Sequence, residues 1–177
     1  MWAPYDSQIY QLVLEQLSAG DIVLEIGAGD LRLSREIARR TKRVYAIEQN
    51  ETLLERYSRR LPTNIHLIAG DARYTPFPNG ITMAVLLMRH CTHFALYFDK
   101  LQSGTCSKLI TNARWGMNVE TIDLEARRPS YRSLDIGWFA CRCGQRGFKP
   151  GPPQEITEVI ENRIWEVGSC PSCGGLH

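Results

Sequence analysis

A strand, a glycine turn and a helix follow one another without interruption near the start of the chain. Residues 22–26, Ile-Val-Leu-Glu-Ile, form an apolar run typical of a strand buried on both faces, and Gly27 and Gly29 follow at the spacing of a tight turn. A helical pattern begins at once, with apolar positions at Leu31, Leu33, Ile37 and Ala38. Such a turn lets a ligand approach bare backbone beside a helix N-terminus. The order therefore predicts a ligand site at the carboxyl end of the first strand.

Two carboxylates indicate which kind of ligand this turn receives. Glu25 stands two residues before Gly27, and Glu48 ends the next strand, 21 residues after Gly27. An acidic residue at that place typically binds the hydroxyls of a ribose. Each residue alone also fits a plain turn or a solvated strand end. Together they predict a nucleoside-containing ligand.

This part of the chain resembles class I S-adenosylmethionine-dependent methyltransferases. The hydrophobic-Glu-hydrophobic-Gly-x-Gly segment is similar to their first motif, and Ala69-Gly70-Asp71-Ala72 is similar to their third. Residues 25–48 look most like the rRNA adenine dimethyltransferases, and the resemblance covers roughly residues 5–115. A nicotinamide-dependent oxidoreductase is disfavoured, because Arg32 stands where a dinucleotide fingerprint has Gly or Ala.

The resemblance implies S-adenosylmethionine as cofactor, with Glu48 on its ribose and Asp71 facing its adenine amino group. The implied cofactor-binding residues are Glu25, Gly27, Ala28, Gly29, Glu48, Gln49, Asp71, Ala72 and Arg89. The family often has a further glycine where Leu31 stands, so the methionine end of the pocket is expected to differ in shape.

Candidate catalytic residues follow the fourth predicted strand, in Met88-Arg-His-Cys-Thr-His93. Adenine-amino methyltransferases carry an Asn/Asp-Pro-Pro-aromatic segment here, and this chain does not, so the resemblance does not extend to the acceptor. His90 is the candidate general base, with His93 as its alternative, since an imidazole exchanges protons near neutral pH. A capping or packing role is the competing interpretation of both.

The alternation of strands and helices predicts an α/β fold, a Rossmann-like doubly wound, mainly parallel sheet with helices on both faces. Strands are predicted from residue 22 and at 43–47, 65–69, 81–88 and 107–113, and helices at 6–18, 33–40, 51–60 and near 91–101. No apolar run approaches the roughly 18 residues of a membrane span, and no signal pattern precedes the first helix. We therefore expect a cytoplasmic protein that does not enter a membrane.

Four of the six cysteines lie in the last 37 residues and form two short-spaced pairs. Cys141 and Cys143 are separated by 26 residues from Cys170 and Cys173. Two such turns predict one structural zinc ion with all four thiolates as ligands, which leaves no open coordination position. Disulfides and an iron–sulfur cluster are the alternatives.

The cysteines also suggest a second unit. We predict a methyltransferase domain in residues 1–128 and a small zinc-ribbon-like β element in residues 129–177, where strands flank both cysteine pairs. These strands either add to the main sheet, which we favour, or form an independent module.

The leading hypothesis is an S-adenosylmethionine-dependent methyltransferase with an unknown acceptor, with RNA as one candidate. Basic residues cluster at 39–43, at 56–60 and at Arg142, Arg146 and Lys149, with Trp138 and Phe139 as stacking groups or ribbon core. A net charge of +2 does not by itself demand a nucleic-acid partner. The alternatives are a methyltransferase acting on a small molecule or protein, and a non-catalytic binding protein. The sequence does not indicate an oligomeric state.

Overall fold

The larger of two sheets in this computed structural model contains six strands; the structure describes residues 5–116 and 118–174. The strands are β1 (Ile22–Ile26), β2 (Arg43–Glu48), β3 (Ile65–Ala69), β4 (Met83–Leu86), β5 (Lys108–Thr111) and β6 (Glu120–Asp123). They lie in the order β3-β2-β1-β4-β5-β6, with the first five strands parallel and β6 antiparallel to β5. The predicted doubly wound sheet is confirmed. Residues 1–4, Met117 and residues 175–177 of the two predicted domains lie outside the described part.

Four helices accompany this sheet: α1 (Ser7–Leu14), α2 (Arg32–Ala38), α3 (Glu51–Tyr57) and α4 (Phe94–Gln102). Asp6 caps α1 by accepting a hydrogen bond from the Ile9 amide at 2.9 Å. The helix ends before the predicted residue 18, where the chain forms a turn instead. In this turn the Asp21 amide donates to Ser18 O, and the Ser18 amide donates to the Asp21 carboxylate. None of the helices in residues 5–116 and 118–174 is long and apolar enough to cross a bilayer.

Side chains from the two faces of the sheet fill separate apolar layers. Leu24 and Leu86 pack in one layer, and Val23 and Val85 pack in the other. Successive residues of a strand point to opposite faces, so a strand that feeds both layers must be apolar throughout. This burial explains the uninterrupted apolar run at residues 22–24.

The C-terminal strands form a sheet of their own. They are β7 (Gly137–Cys141), β8 (Arg146–Lys149) and β9 (Ile164–Val167), in the order β8-β7-β9, and a single-turn helix α5 (Glu158–Glu161) precedes β9. Strand β7 is antiparallel to β8 and parallel to β9. The favoured prediction that these strands add to the main sheet is wrong. The edge beside β5 is already occupied by β6, which the sequence did not reveal.

A buried arginine joins the two units. The side chain of Arg114, just beyond β5, is fully buried and pairs with Glu120 at 2.6 Å and with Glu166 of β9 at 2.5 Å. Burial alone would lower the pKa of Arg114, but hydrogen bonds to the two carboxylates raise it, so the guanidinium stays charged. Gly144 packs on Phe94 at the start of α4. The cysteine unit therefore rests at the carboxyl-terminal edge of the main sheet.

Candidate functional site

A cleft of about 370 Å³ opens at the carboxyl ends of the central strands. This volume lies within the range of small-molecule sites. Six of the predicted cofactor residues line it: Gly27, Glu48, Gln49, Asp71, Ala72 and Arg89. They follow β1, β2, β3 and β4, so the topology brings together segments that are far apart in sequence.

The other three predicted cofactor residues lie behind the wall of the cleft. Ala28 and Gly29 are buried in the turn, and the side chain of Glu25 is covered, with the residue only 5% exposed. The hydroxyl of Ser34 in α2 donates to the Glu25 carboxyl group. These three residues stabilise the conformation of the turn and do not line the cleft.

The turn after β1 requires left-handed backbone at three positions. Gly27 and Gly29 have φ of 77° and 58°, and the amides of Gly27 and Ala28 both donate to Ile47 O at 2.9 Å. Leu31, where the family often has glycine, has φ of 60°. That conformation costs a non-glycine residue about 1–2 kcal/mol. Complete burial of the Leu31 side chain, stabilising by roughly 1.5–3 kcal/mol, offsets this cost.

Glu48 holds this turn in place. One carboxylate oxygen accepts from the Gly29 amide at 2.7 Å, and the other accepts from the Asn50 amide at 2.8 Å. An ionised carboxylate offers about four lone-pair sites, so each oxygen can accept a further hydrogen bond. The side chain is therefore fixed in one orientation while it retains capacity for a ligand at the cleft.

Asp71 is held by a neighbour that the sequence did not single out. Arg73 Nε lies 3.0 and 2.8 Å from the two carboxylate oxygens, and the Arg73 amide donates to Oδ1 at 2.9 Å. These hydrogen bonds from Arg73 lower the pKa of Asp71. The carboxylate is therefore ionised at neutral pH and oriented at the end of β3.

Lys100 of α4 organises the loop that contains Asp71 and Ala72. Its ammonium donates to Ala72 O at 2.6 Å and to Thr75 O at 2.8 Å, and it lies 4.1 Å from the centre of the Phe77 ring. Partial burial lowers its pKa. Three separate parts of one loop are thus tied to α4 by a single side chain.

Lys100→Met should weaken binding of S-adenosylhomocysteine by roughly threefold to tenfold, because net hydrogen bonds of about 0.5–1.5 kcal/mol no longer order the loop. Calorimetric titration measures the change, with Lys42→Met, at the opposite end of the sheet, as control. Equal affinities for both variants and the wild type would contradict this role.

Tyr5 is a cleft residue that sequence reasoning missed. Its hydroxyl accepts from the Arg89 amide at 3.1 Å, and the Arg89 guanidinium lies 5.0 Å from the centre of its ring. The segment before α1 therefore reaches the loop after β4. No periodicity or motif in the sequence marks this contact.

The two histidines occupy different positions after β4. His90 is exposed, has φ of 58°, and is not among the described residues that line the cleft. His93 precedes α4 and lies 3.5 Å from Arg73 Nη1. Neither arrangement assigns a proton-transfer role, so His90 as general base stays a prediction.

Glu25 is a buried acid with an unusual proton affinity. Burial raises its pKa to about 8 from an ordinary 4.5, and the Ser34 hydrogen bond opposes the shift only in part. The folded protein therefore holds a proton that the unfolded chain releases above pH 4.5. Linkage then requires stability to fall as pH rises between 4.5 and about 8.

Glu25→Gln should remove this part of the pH dependence, because glutamine matches the shape of the neutral acid and does not titrate. Denaturant unfolding between pH 5 and 8 should show the wild type losing up to about 1.4 kcal/mol per pH unit more than the variant. Parallel curves for the two proteins would count against a neutral Glu25.

The four cysteines of the C-terminal unit come together as predicted. Their sulfur atoms all lie within 4.8 Å of one another, and three pairs are 3.6–3.7 Å apart. A tetrahedral zinc–thiolate site with bonds near 2.3 Å has sulfur–sulfur edges of about 3.8 Å. The Cys170 amide also donates to Cys173 Sγ at 3.5 Å. The arrangement fits a closed four-thiolate metal site.

Cys91 and Cys106 lie outside this cluster. Burial raises the pKa of both thiols, that of Cys106 to about 11. Both thiols are therefore protonated at neutral pH, and both pack against the apolar layer that contains Leu24.

Part of the chain is similar to known methyltransferases. Residues 23–103 match a family model described as "Methyltransferase domain". The chain is 34% identical over 75 residues to "Probable ribosomal RNA small subunit methyltransferase A" of Pyrobaculum islandicum, covering 42% of this chain and 32% of that protein. The protein of the same name from Methanosarcina acetivorans is 42% identical over 69 residues, covering 38% of this chain and 26% of its own length. The chain thus spans about a third or less of these relatives.

Solved structures support the same fold. A dimethyladenosine transferase from Plasmodium falciparum aligns with a TM-score of 0.53 and 23% identity, over 60% of this chain and 41% of its own. A tRNA methyltransferase from Aquifex aeolicus gives 0.53 and 19%, over 63% and 47%. The region that matches the family model contains the turn after β1, Glu48 and Asp71. Residues 23–103 are therefore similar to a methyltransferase domain, and the chain shares the fold of these solved methyltransferases over 60–63% of its length.

Proposed function

We propose that this chain transfers the methyl group of S-adenosylmethionine to an RNA acceptor. The observation that carries the cofactor assignment is Glu48, whose carboxylate is fixed by two amides at the cleft while lone pairs stay available for ribose hydroxyls. Asp71 and Ala72 would hold the adenine, and Gly27 and Met88 would face the methionine end. A bare backbone at Gly27 gives the close approach that this end needs.

The bound cofactor supplies an electrophilic methyl group for in-line displacement. The protein's part is to align the acceptor with that methyl and to exclude water from the cleft. The loop after β4 is the candidate for alignment, because Arg89 lines the cleft and is anchored to Tyr5. His90, exposed in the same loop, is the proposed group that accepts a proton from the acceptor.

We propose one structural zinc ion held by Cys141, Cys143, Cys170 and Cys173. The spacing of the four sulfur atoms supports it, and so does the preference of zinc for thiolates in closed tetrahedral sites. Such a site requires reduced cysteines, which agrees with the expected cytoplasmic location.

RNA is the proposed acceptor because the named relatives are ribosomal RNA methyltransferases. The similarity to them covers only 42% and 38% of this chain, so the acceptor needs its own test. The decisive experiment titrates the protein with S-adenosylmethionine, S-adenosylhomocysteine and NAD, and then assays labelled methyl transfer to fractionated RNA, protein and metabolites. We expect binding of the first two ligands and label in the RNA fraction.

Two results would change the assignment. Binding of NAD, with no binding of S-adenosylmethionine, would overturn the cofactor assignment. Tight S-adenosylmethionine binding with no transfer to any fraction would favour the non-catalytic alternative.

A further inference from the structure

Three aromatic rings form a partly exposed surface on the C-terminal sheet. Trp138 of β7 lies edge-on to Phe148 of β8 with ring centres 5.3 Å apart, and edge-on to Trp115 at 6.3 Å. The Arg146 guanidinium lies 5.7 Å from the centre of the Trp115 ring. We call Trp115, Trp138, Phe148 and Arg146 the tryptophan surface.

This surface is not the core of the zinc-ribbon-like unit. The core is on the other face of β7, where Phe139 packs on Tyr131 with ring centres 5.0 Å apart. Trp138 is 38% exposed, and its neighbour on β9, Ile164, is 49% exposed. Alternation along β7 thus divides two adjacent aromatic residues between core and surface. A large exposed aromatic beside a cation is a feature that packing does not require.

The tryptophan surface lies on the side of the cleft away from the adenine end. Asp71, Glu48 and Gly27 follow β3, β2 and β1, which lie in that order across the sheet. Strands β4 and β5 continue the series, and Trp115 is the residue after the buried Arg114 beyond β5. Neighbouring strands are about 4.8 Å apart, so β5 lies about 10 Å beyond β1, past the loop that contains Arg89 and His90.

The charges nearby are suited to an anionic chain. Arg142 is exposed on the turn that links β7 and β8, and Arg146 is exposed at the start of β8. The Arg142 guanidinium lies 4.0 Å from the Asp99 carboxylate. Lys149, by contrast, donates to the carbonyls of Tyr131, Arg132 and Leu134 and is occupied structurally. An arginine beside a partly exposed tryptophan, with a second exposed arginine on the preceding turn, matches how proteins hold unpaired nucleotides, with bases stacked on aromatics and phosphates near cations.

We infer that the tryptophan surface binds unpaired bases of the RNA acceptor next to the nucleotide that enters the cleft. This inference rests on the proposed function. It adds that the RNA is single-stranded where it is bound, and it names the protein surface that recognises it. Trp138 acts as the stacking platform, and Arg146 neutralises the adjoining phosphate.

Fluorescence anisotropy with a short single-stranded RNA, and with the duplex of the same sequence, tests the inference on the full zinc-loaded chain. Trp138→Ala should weaken single-strand binding about tenfold, whereas Trp138→Phe should retain most of the affinity. Arg146→Gln should weaken binding and reduce its salt dependence. Lys108→Gln, the same loss of charge at an exposed position at the amino-terminal end of β5, should do neither. The duplex should bind more weakly than the single strand.

S-adenosylhomocysteine affinity, measured on every variant, separates failure of the surface from failure of the fold or of the cofactor assignment. Unchanged RNA affinity in folded Trp138→Ala would overturn the inference. So would equal losses of RNA affinity in Arg146→Gln and Lys108→Gln. If S-adenosylhomocysteine does not bind the wild type, the proposed function fails, while the RNA measurements still decide the surface.

Discussion

Glu48→Gln should weaken binding of S-adenosylhomocysteine by about 10- to 100-fold. Hydrogen bonds to a charged group contribute roughly 1.5–3 kcal/mol, and each 1.4 kcal/mol is one order of magnitude in affinity. The amide also replaces one acceptor oxygen with an NH2 group that faces the Gly29 or the Asn50 amide. Both the proposed ribose contact and the geometry of the turn are therefore lost together. Calorimetric titration measures the affinity directly.

Glu51→Gln is the matched control. Glu51 is exposed at the start of α3, and its substitution removes the same charge as Glu48→Gln. Its affinity should equal that of the wild type. A folded Glu48→Gln protein with wild-type affinity would remove Glu48 from the cofactor site and, with it, the main support for the proposed function.

Removing the metal from the cysteine cluster should unfold the C-terminal unit. Binding free energies of structural zinc are on the order of 10–16 kcal/mol in small zinc domains, which exceeds what the small core around Phe139 can supply. Cys173→Ser, or treatment with a chelator, should therefore release about one zinc per chain and abolish hydrogen-exchange protection in β7 and β9. Cofactor affinity should persist, because the residues that line the cleft lie outside the C-terminal unit.

Cys91→Ser tests whether this response is specific, since Cys91 lies outside the cluster. Its zinc content and exchange protection should match the wild type. Metal analysis that finds no zinc in the wild type, or four thiols that all react at once with a thiol reagent, would rule out the proposed metal site.

Local sequence patterns predicted much of the architecture. The apolar residues of 22–26 and the glycines after them predicted β1 and its turn, because a strand covered on both faces is apolar at nearly every position and left-handed backbone favours glycine. The cysteine pairs were predictable for a similar reason, since a thiolate site needs specific residues at short spacing.

Long-range contacts could not be predicted in this way. Tyr5 reaches Arg89 across 84 residues, and Lys100 reaches Ala72 across 28, with no periodic signal at either end. Strand β6 has the sequence Glu-Thr-Ile-Asp, whose polar and apolar residues do not distinguish it from a loop. It nevertheless pairs with β5 at the sheet edge where we had expected the C-terminal strands. Which strand occupies an edge depends on competition between segments, and a single sequence does not show the outcome.

The junction at Arg114 also constrains the order in which the molecule can be completed. Glu120 is available as soon as β6 pairs with β5, but Glu166 is 52 residues after Arg114 in the chain. Until β9 is in place, a buried cation has only one of its two carboxylates, and breaking a buried pair costs up to about 3–5 kcal/mol. A nascent or shortened chain that stops before β9 would therefore hold the β5–β6 edge loosely. The larger sheet should reach its full cooperativity only after the smaller one has closed.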